Sequence, residues 1–277
     1  MTLPTVAVIG LGCIGGSIVK ALPNDVARVR GWSASPEDCA TARALGYDVP
    51  GTPEGTLADA TVVVVAVPVQ AIAEVAAIAG REAPASATIL HCGGVQSRDA
   101  LHLDEVAYAR IIGTHPLAGS HESGFGAARA DLFEGCAVSI ESRRSAEEER
   151  RATWLWSGVG AERIDFRSAE EHDVLMALIS HLPQLASTAL AATLAAEHID
   201  AKSVGPGARD TTRLAGSSFE QWVALLQAQP AVLDSALARL ETTVASIRNA
   251  LERRDERSLR ALWDSAREWR RAAEPSA

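Results

Sequence analysis

The chain has 277 residues, 47% of them apolar, and a formal net charge of −9. That length holds one large domain or two ordinary ones, and the apolar content suffices for a substantial core. The acidic balance, with Lys20 and Lys202 as its two lysines, argues against the clustered basic surface that nucleic acid or an anionic membrane requires.

Cys13, Cys39, Cys92 and Cys136 are scattered without a C-x-x-C pair, so neither a zinc site nor a disulfide framework is expected. Met1 leads directly into a strand, with no basic and then apolar leader. The apolar run 60–69 is too short to span a bilayer. A soluble, cytoplasmic protein with neither a nucleic-acid nor a membrane partner is the expectation.

Residues 5–9, Thr-Val-Ala-Val-Ile, read as a buried strand. Gly10-Leu11-Gly12-Cys13-Ile14-Gly15 follows, and a helical pattern then runs to Leu22. Strand, G-x-G-x-x-G and helix in that order form a dinucleotide-binding fingerprint. The first glycine permits the turn, the second admits the pyrophosphate, and the third lets helix pack on strand. Gly10, Gly12, Cys13, Ile14 and Gly15 are therefore expected cofactor contacts, with a purely structural glycine turn as the alternative.

The second strand, 27–32, should end at the adenosine ribose, where NAD sites usually place an acid about 20 residues after the glycines. Here Ser33-Ala34-Ser35 follows Trp32. Ser33 can bond a 2′-phosphate without repelling it, yet no arginine follows to clamp that group. The balance leans slightly to NADP over NAD. Residues 60–67 are a β-branched run of the kind covered on both faces. Pro68 ends it, so Val67 and Pro68 fall at the cofactor edge, and 69–79 has helical spacing.

The next strand, 87–90, ends in His91-Cys92-Gly93-Gly94-Val95-Gln96-Ser97. Strands alternating with helices imply an α/β fold with a right-handed, doubly wound, mostly parallel sheet of Rossmann type. Residues 109–112 form another strand, and the chain turns at Gly113-Thr114-His115-Pro116. His115 would then stand at the carboxyl edge, where open α/β sheets bind ligands. A histidine satisfied within a loop is the competing reading. A strand at 136–140, a helix at 145–156 and a strand at 163–166 complete this part.

From Ser168 the pattern changes. Ser168 with Glu171 is a capping box. Residues 174–196 are nearly all apolar, so their helix must be buried in a bundle or between subunits. Val204-Gly205-Pro206-Gly207 interrupts, helices resume near 217, Pro230 starts one of them, and 252–257 is a solvated turn. Two domains result: a dinucleotide-binding domain, 1–167, and an all-helical substrate and dimerisation domain, 168–277, that makes the protein a homodimer.

Taken together, these segments resemble the prephenate/arogenate dehydrogenase family of tyrosine biosynthesis, over nearly the whole chain. The resemblance rests on Gly10–Ser17, on His115-Pro116-Leu117-Ala118-Gly119-Ser120-His121-Glu122-Ser123-Gly124 continuing to Leu132-Phe133-Glu134-Gly135, and on His172-Asp173 to Ser180-His181-Leu182-Pro183. Arg209-Asp210-Thr211-Thr212-Arg213-Leu214-Ala215, with Trp222 beyond, completes it. It implies an NAD(P)-dependent oxidative decarboxylation of a cyclohexadienyl acid. A hydride leaves ring carbon 4 for the nicotinamide, the ring carboxylate departs as CO2, and the ring becomes aromatic.

In this resemblance His115 matches the catalytic histidine that draws the proton of the substrate 4-hydroxyl. Arg213 matches the arginine that grips a substrate carboxylate, and Asp210 one helical turn earlier helps to fix that region. Without the family, Asp210 and Arg213 read as a surface ion pair. His172 reads equally as a structural cap or a functional group, and His181 as a core histidine or a wall of the substrate site.

Three positions depart from the pattern. Many members carry a serine after the fourth strand that helps bind the substrate hydroxyl; here Gly94 or Val95 stands there, and Gln96 or Ser97 would have to substitute. Gln184 replaces a histidine just after Leu-Pro. The acid after Gly-Ser is displaced by one, giving His121-Glu122. These changes bear on whether prephenate, arogenate or 4-amino-4-deoxyprephenate is the substrate. Rival readings are a β-hydroxyacid dehydrogenase, for which neither Lys20 nor Lys202 is well placed, and a non-catalytic NAD(P) sensor. With no regulatory domain expected after Ala277, feedback inhibition would act at the active site.

Overall fold

The computed structural model describes residues 3–119, 122–142 and 145–273. β1 (Thr5–Ile9) is buried along its whole length and leads into α1 (Cys13–Ala21). β2 (Arg28–Trp32), α2 (Pro36–Ala44), α3 (Pro53–Leu57), β3 (Val62–Val65), α4 (Ile72–Glu82) and β4 (Thr88–His91) follow. Next come α5 (Glu105–Arg110), β5 (Ile111–Pro116), β6 (Ala137–Glu141), α6 (Ala146–Gly158) and β7 (Arg163–Arg167).

The seven strands form one sheet in the order β2-β1-β3-β4-β5-β6-β7. From β2 to β5 every pair is parallel, β6 runs antiparallel to β5, and β7 parallel to β6. Alternation along the strands builds two cores. Val6, Val8, Val62 and Val64 enter one, with Phe133 and Trp156; Ala7, Ile9, Val63 and Val65 enter the other, with Ile72 and Ile89. Because both faces are covered, β1 and β3 read as unbroken apolar runs. The chain goes from β1 outward to β2 and then crosses to β3. The glycine loop thus lies at the switch point where such sheets bind ligands.

The strand expected at 109–112 begins two residues later. α5 runs to Arg110, and β5 extends through His115 to Pro116. His115 is therefore inside a strand, opposite Ser139 of β6, and not in the loop after it. That pairing fixes its backbone against β6.

Beyond the sheet, α7 (Ala169–Met176), a π turn (Ala177–His181) and α8 (Leu182–Ala196) make one continuous helix. The capping box is present, Ser168 accepting from the Glu171 N–H at 3.1 Å and Glu171 reaching back to the Ser168 N–H at 3.0 Å. The wider π turn falls just before Pro183, whose missing N–H an α-helical ladder would not tolerate. By length and composition this helix could cross a bilayer. Its buried His172, Asp173 and Gln184, however, are hydrogen-bonded within the fold. Val174, Ile179 and Leu190 on the same helix are 47%, 51% and 40% exposed. The apolar stretch expected to be buried in a bundle or between subunits is thus partly open in the single chain.

The interruption expected at 204–207 instead starts a helix, α9 (Pro206–Thr212), with Pro206 in its first turn, where a proline costs no hydrogen bond. A 3-10 turn (Arg213–Gly216) and α10 (Phe219–Ala228) follow. By contacts the chain divides into two compact units, Met1–Gln229 and Pro230–Ala277. The second is α11 (Pro230–Glu252) and α12 (Glu256–Ala272), joined by a turn in which Arg254 has φ 53° and Asp255 caps α12.

Candidate active site

The glycine loop is built for close approach. Gly10 has φ +101°, and a Cβ there would strike the carbonyl of Ala66; one at Gly15 would strike the Gly10 carbonyl. At Gly12, by contrast, nothing lies within 4 Å of where a Cβ would point. No side chain caps α1, so its first turn can bind an anion through the backbone. These features fit a pyrophosphate. A cavity of about 630 Å³ opens here, lined by Gly10, Gly12, Cys13 and Ile14, by Ser33 beyond β2, and by Val67 and Pro68 beyond β3. Gly15 stands behind it, packed on Val8 and Ala66.

The sequence reading did not single out Asp38. It lies in the first turn of α2, lines the cavity, and accepts a hydrogen bond from the Phe125 N–H at 2.8 Å through Oδ1. Glu74 and Glu122 also line the cavity, and no lysine or arginine does among the described residues. Arg30 of β2 pairs with Asp59 and with Asp48 instead. The Ser33 hydroxyl accepts from the Ser35 N–H at 3.2 Å. Lys20 points away, donating to the carbonyls of Phe125 and Ala128 at 3.3 and 2.6 Å.

A second cavity, about 440 Å³, shares Val67 and Pro68 with the first and is closed by Cys92–Gly94 and by Glu220, Gln221, Ala224 and Leu225 of α10. His115 adjoins it. A Cβ built on Gly94 would lie 3.8 Å from both Cε1 and Nε2 of His115. Val95 is fully buried in the core, so Gly94 is the position beside the imidazole, and it carries no side chain.

Behind His115 stands a chain of hydrogen bonds. His115 Nδ1 is 3.0 Å from Nε2 of His172, whose Nδ1 is 2.8 Å from Oδ1 of Asp173. Asp173 accepts from the N–H groups of Gln96 and Ser97 at 2.8 and 3.0 Å. Burial alone would raise the Asp173 carboxyl; hydrogen bonds from His172, Ser97 and Gln96 outweigh it and hold the group below its ordinary value. Burial, helped by neighbouring His172, His181 and His91, pushes His115 down to about 3. It is neutral across the working range.

Gln96 and Ser97 therefore serve as backbone clamps. The Gln96 side chain is fully buried beneath Gly113 and donates to the Ser139 carbonyl at 3.3 Å, away from the second cavity. His181, also buried, has its Nδ1 3.3 Å from Gln229 Nε2, meets Trp222 edge-to-face at 5.9 Å, and is pushed by burial to about 4. Gln184 donates to the Leu214 carbonyl at 2.9 Å. Arg213 and Asp210 are exposed, make no ion pair among the described residues, and line neither cavity. The displaced acidic position at His121, with Ser120 before it, lies outside the described residues.

A doubly wound sheet, a glycine cradle and an imidazole beside an adjoining cavity define a dinucleotide-dependent oxidoreductase. The profile described as prephenate dehydrogenase, nucleotide-binding domain, matches residues 18–165, and that described as prephenate dehydrogenase, dimerization domain, matches 168–264. The chain belongs to the prephenate dehydrogenase family. It is 31% identical over 262 residues to a cyclohexadienyl dehydrogenase of Zymomonas mobilis, covering 87% of this chain and 88% of that one. A prephenate dehydrogenase of Bacillus subtilis is 28% identical, over 96% of this chain and 75% of its own. The crystal structure of prephenate dehydrogenase from A. aeolicus, in complex with hydroxyphenyl propionate and NAD+, superposes with a TM-score of 0.87 at 24% identity, over 99% of each chain.

Proposed function

We propose that this protein catalyses the NAD-dependent oxidative decarboxylation of a cyclohexadienyl acid, prephenate or arogenate, in tyrosine biosynthesis. One observation carries the reading: Nε2 of a neutral His115 stands beside Gly94, a residue in the wall of a cavity that shares Val67 and Pro68 with the dinucleotide cavity. When bound, the nicotinamide supplies the hydride acceptor. The residues of the chain hold the two partners together and manage one proton. His115 takes that proton from the 4-hydroxyl as the carbonyl forms. Arg213 holds a substrate carboxylate, assisted by Asp210, and His181 and Gln184 shape that side of the site.

The acids Asp38, Glu74 and Glu122, with no described cation in the cavity, favour NAD. A 2′-phosphate would face like charge there, which outweighs the lean to NADP drawn from Ser33. The exposed Val174, Ile179 and Leu190 support a homodimer formed through the helical domain, 168–277, with 1–167 as the cofactor domain. A cytoplasmic location accords with a soluble substrate and cofactor.

Absorbance of the reduced nicotinamide, followed with prephenate and then arogenate as substrate and each dinucleotide in turn, tests the reaction. Cofactor binding without turnover on either acid would overturn it. A monomer by light scattering at micromolar concentration would remove the dimer.

A further inference from the structure

The hydrogen bonds behind His115 assign their own protons. The N–H groups of Gln96 and Ser97 can only donate, so both oxygens of Asp173 accept, and these bonds hold the carboxyl below its ordinary value, as a carboxylate. His172 Nδ1, 2.8 Å away, must then carry a hydrogen. The Nε2 of a neutral His172 has only a lone pair to offer, so His115 Nδ1, at 3.0 Å, donates to it. That leaves Nε2 of His115 bare, on the side of Gly94 and the second cavity.

We propose that His172 is a positioning residue for the reaction, holding His115 in the Nδ1–H tautomer and receiving that proton as His115 Nε2 takes the one from the substrate. The proposal rests on the reading of His115 given above. The substrate O–H bond breaks, and its electron pair enters the forming carbonyl. An N–H bond forms at His115 Nε2 while the one at Nδ1 breaks, and a new one forms at His172 Nε2. His172 ends as an imidazolium against the Asp173 carboxylate, and His115 ends neutral.

The surroundings agree with this direction of transfer. His115 is faced by His91 from β4, His181 from the π turn, and His172 and Asp173 from α7. Among these, Asp173 is the acid, and it touches His172 and not His115. A positive charge is therefore better held on His172 than on His115. His172 is fully buried, and it is the ring nitrogen within hydrogen-bond distance of His115 Nδ1.

Nitrogen NMR of the full chain with labelled histidines reads the tautomers directly; His115→Asn identifies the His115 signal among the seven histidines. Protonated Nδ1 and bare Nε2 on His115 are expected. His172→Leu should release that tautomer and lower kcat about a hundredfold, the worth of one positioned acid–base group, with NAD affinity unchanged. His172→Gln, which can still accept from His115 and donate to Asp173, should keep the tautomer and recover part of kcat. A His115 protonated at Nε2 would overturn the proposal, as would wild-type kcat and pH profile in a folded His172→Leu. If His172→Leu does not fold, the wild-type tautomer and His172→Gln decide. The expected tautomers in a protein that turns over no cyclohexadienyl acid would sink the proposed reaction and leave the proton order standing.

Discussion

Gln184 donates from Nε2 to the carbonyl oxygen of Leu214 at 2.9 Å, and one turn on, Ser187 accepts from the Ala215 N–H at 3.2 Å. The helix that carries His181 thus also holds the turn that begins at Arg213. A guanidinium fixed at its backbone and unpaired among the described residues is available for a carboxylate.

Arg213→Ala is expected to raise KM roughly ten- to a hundredfold, from loss of a charged hydrogen bond worth about 1.5–3 kcal/mol. Steady-state kinetics with kcat and KM separated check this. An unaltered KM would leave Arg213 a surface residue.

His115→Asn should lower kcat by about 10²–10⁴-fold and leave the dissociation constant for NAD nearly unchanged. His115 stands beside Gly94, which lines the second cavity, and does not line the dinucleotide cavity. Calorimetric titration of the variant with NAD separates the two effects; full turnover would remove His115 from the chemistry.

Asp38→Asn should narrow the preference for NAD over NADP about tenfold or more. Like charges about 4 Å apart repel by about 1 kcal/mol in water and about 4 kcal/mol near a protein surface. The ratio of kcat/KM for the two dinucleotides is the measurement. Since Asp38 also accepts from Phe125 N–H, the melting temperature shows whether the loop has moved; an unchanged ratio in a stable variant refutes its role.

Stability should fall as pH drops from about 6.5 toward 4. In the folded chain His115 and His181 sit near 3 and 4, against 6.5 for an ordinary histidine. Between those values the unfolded chain binds protons that the folded one refuses, so the stabilisation is complete above the unfolded value and lost below it. Melting temperature against pH tests this, and His181→Asn should flatten the slope. A melting temperature indifferent to pH across that window would contradict the buried neutral imidazoles.

Where structure is specified by a few consecutive residues, the sequence was enough. The turn at Gly10, the cap at Ser168 with Glu171, and the buried runs of β1 and β3 each follow from backbone sterics or periodicity within one element. His115 was visible for the same reason, as the polar residue at the end of an apolar run. The Pro206 helix was missed because Gly205-Pro206-Gly207 reads equally as a break and as a helix start.

Which groups meet across the fold was decided only by tertiary packing. Nothing in the sequence distinguished a capping His172 from one placed between His115 and Asp173, since the partners lie 57 residues apart. Gln96 was named as a substrate contact, yet its side chain goes under Gly113 and its backbone holds Asp173. Asp38 reaches the dinucleotide cavity from a helix and not from the strand end. A buried polar group takes whichever partner the packed elements bring within 3 Å, and that choice is a property of the assembled sheet and helices, not of neighbours in the chain.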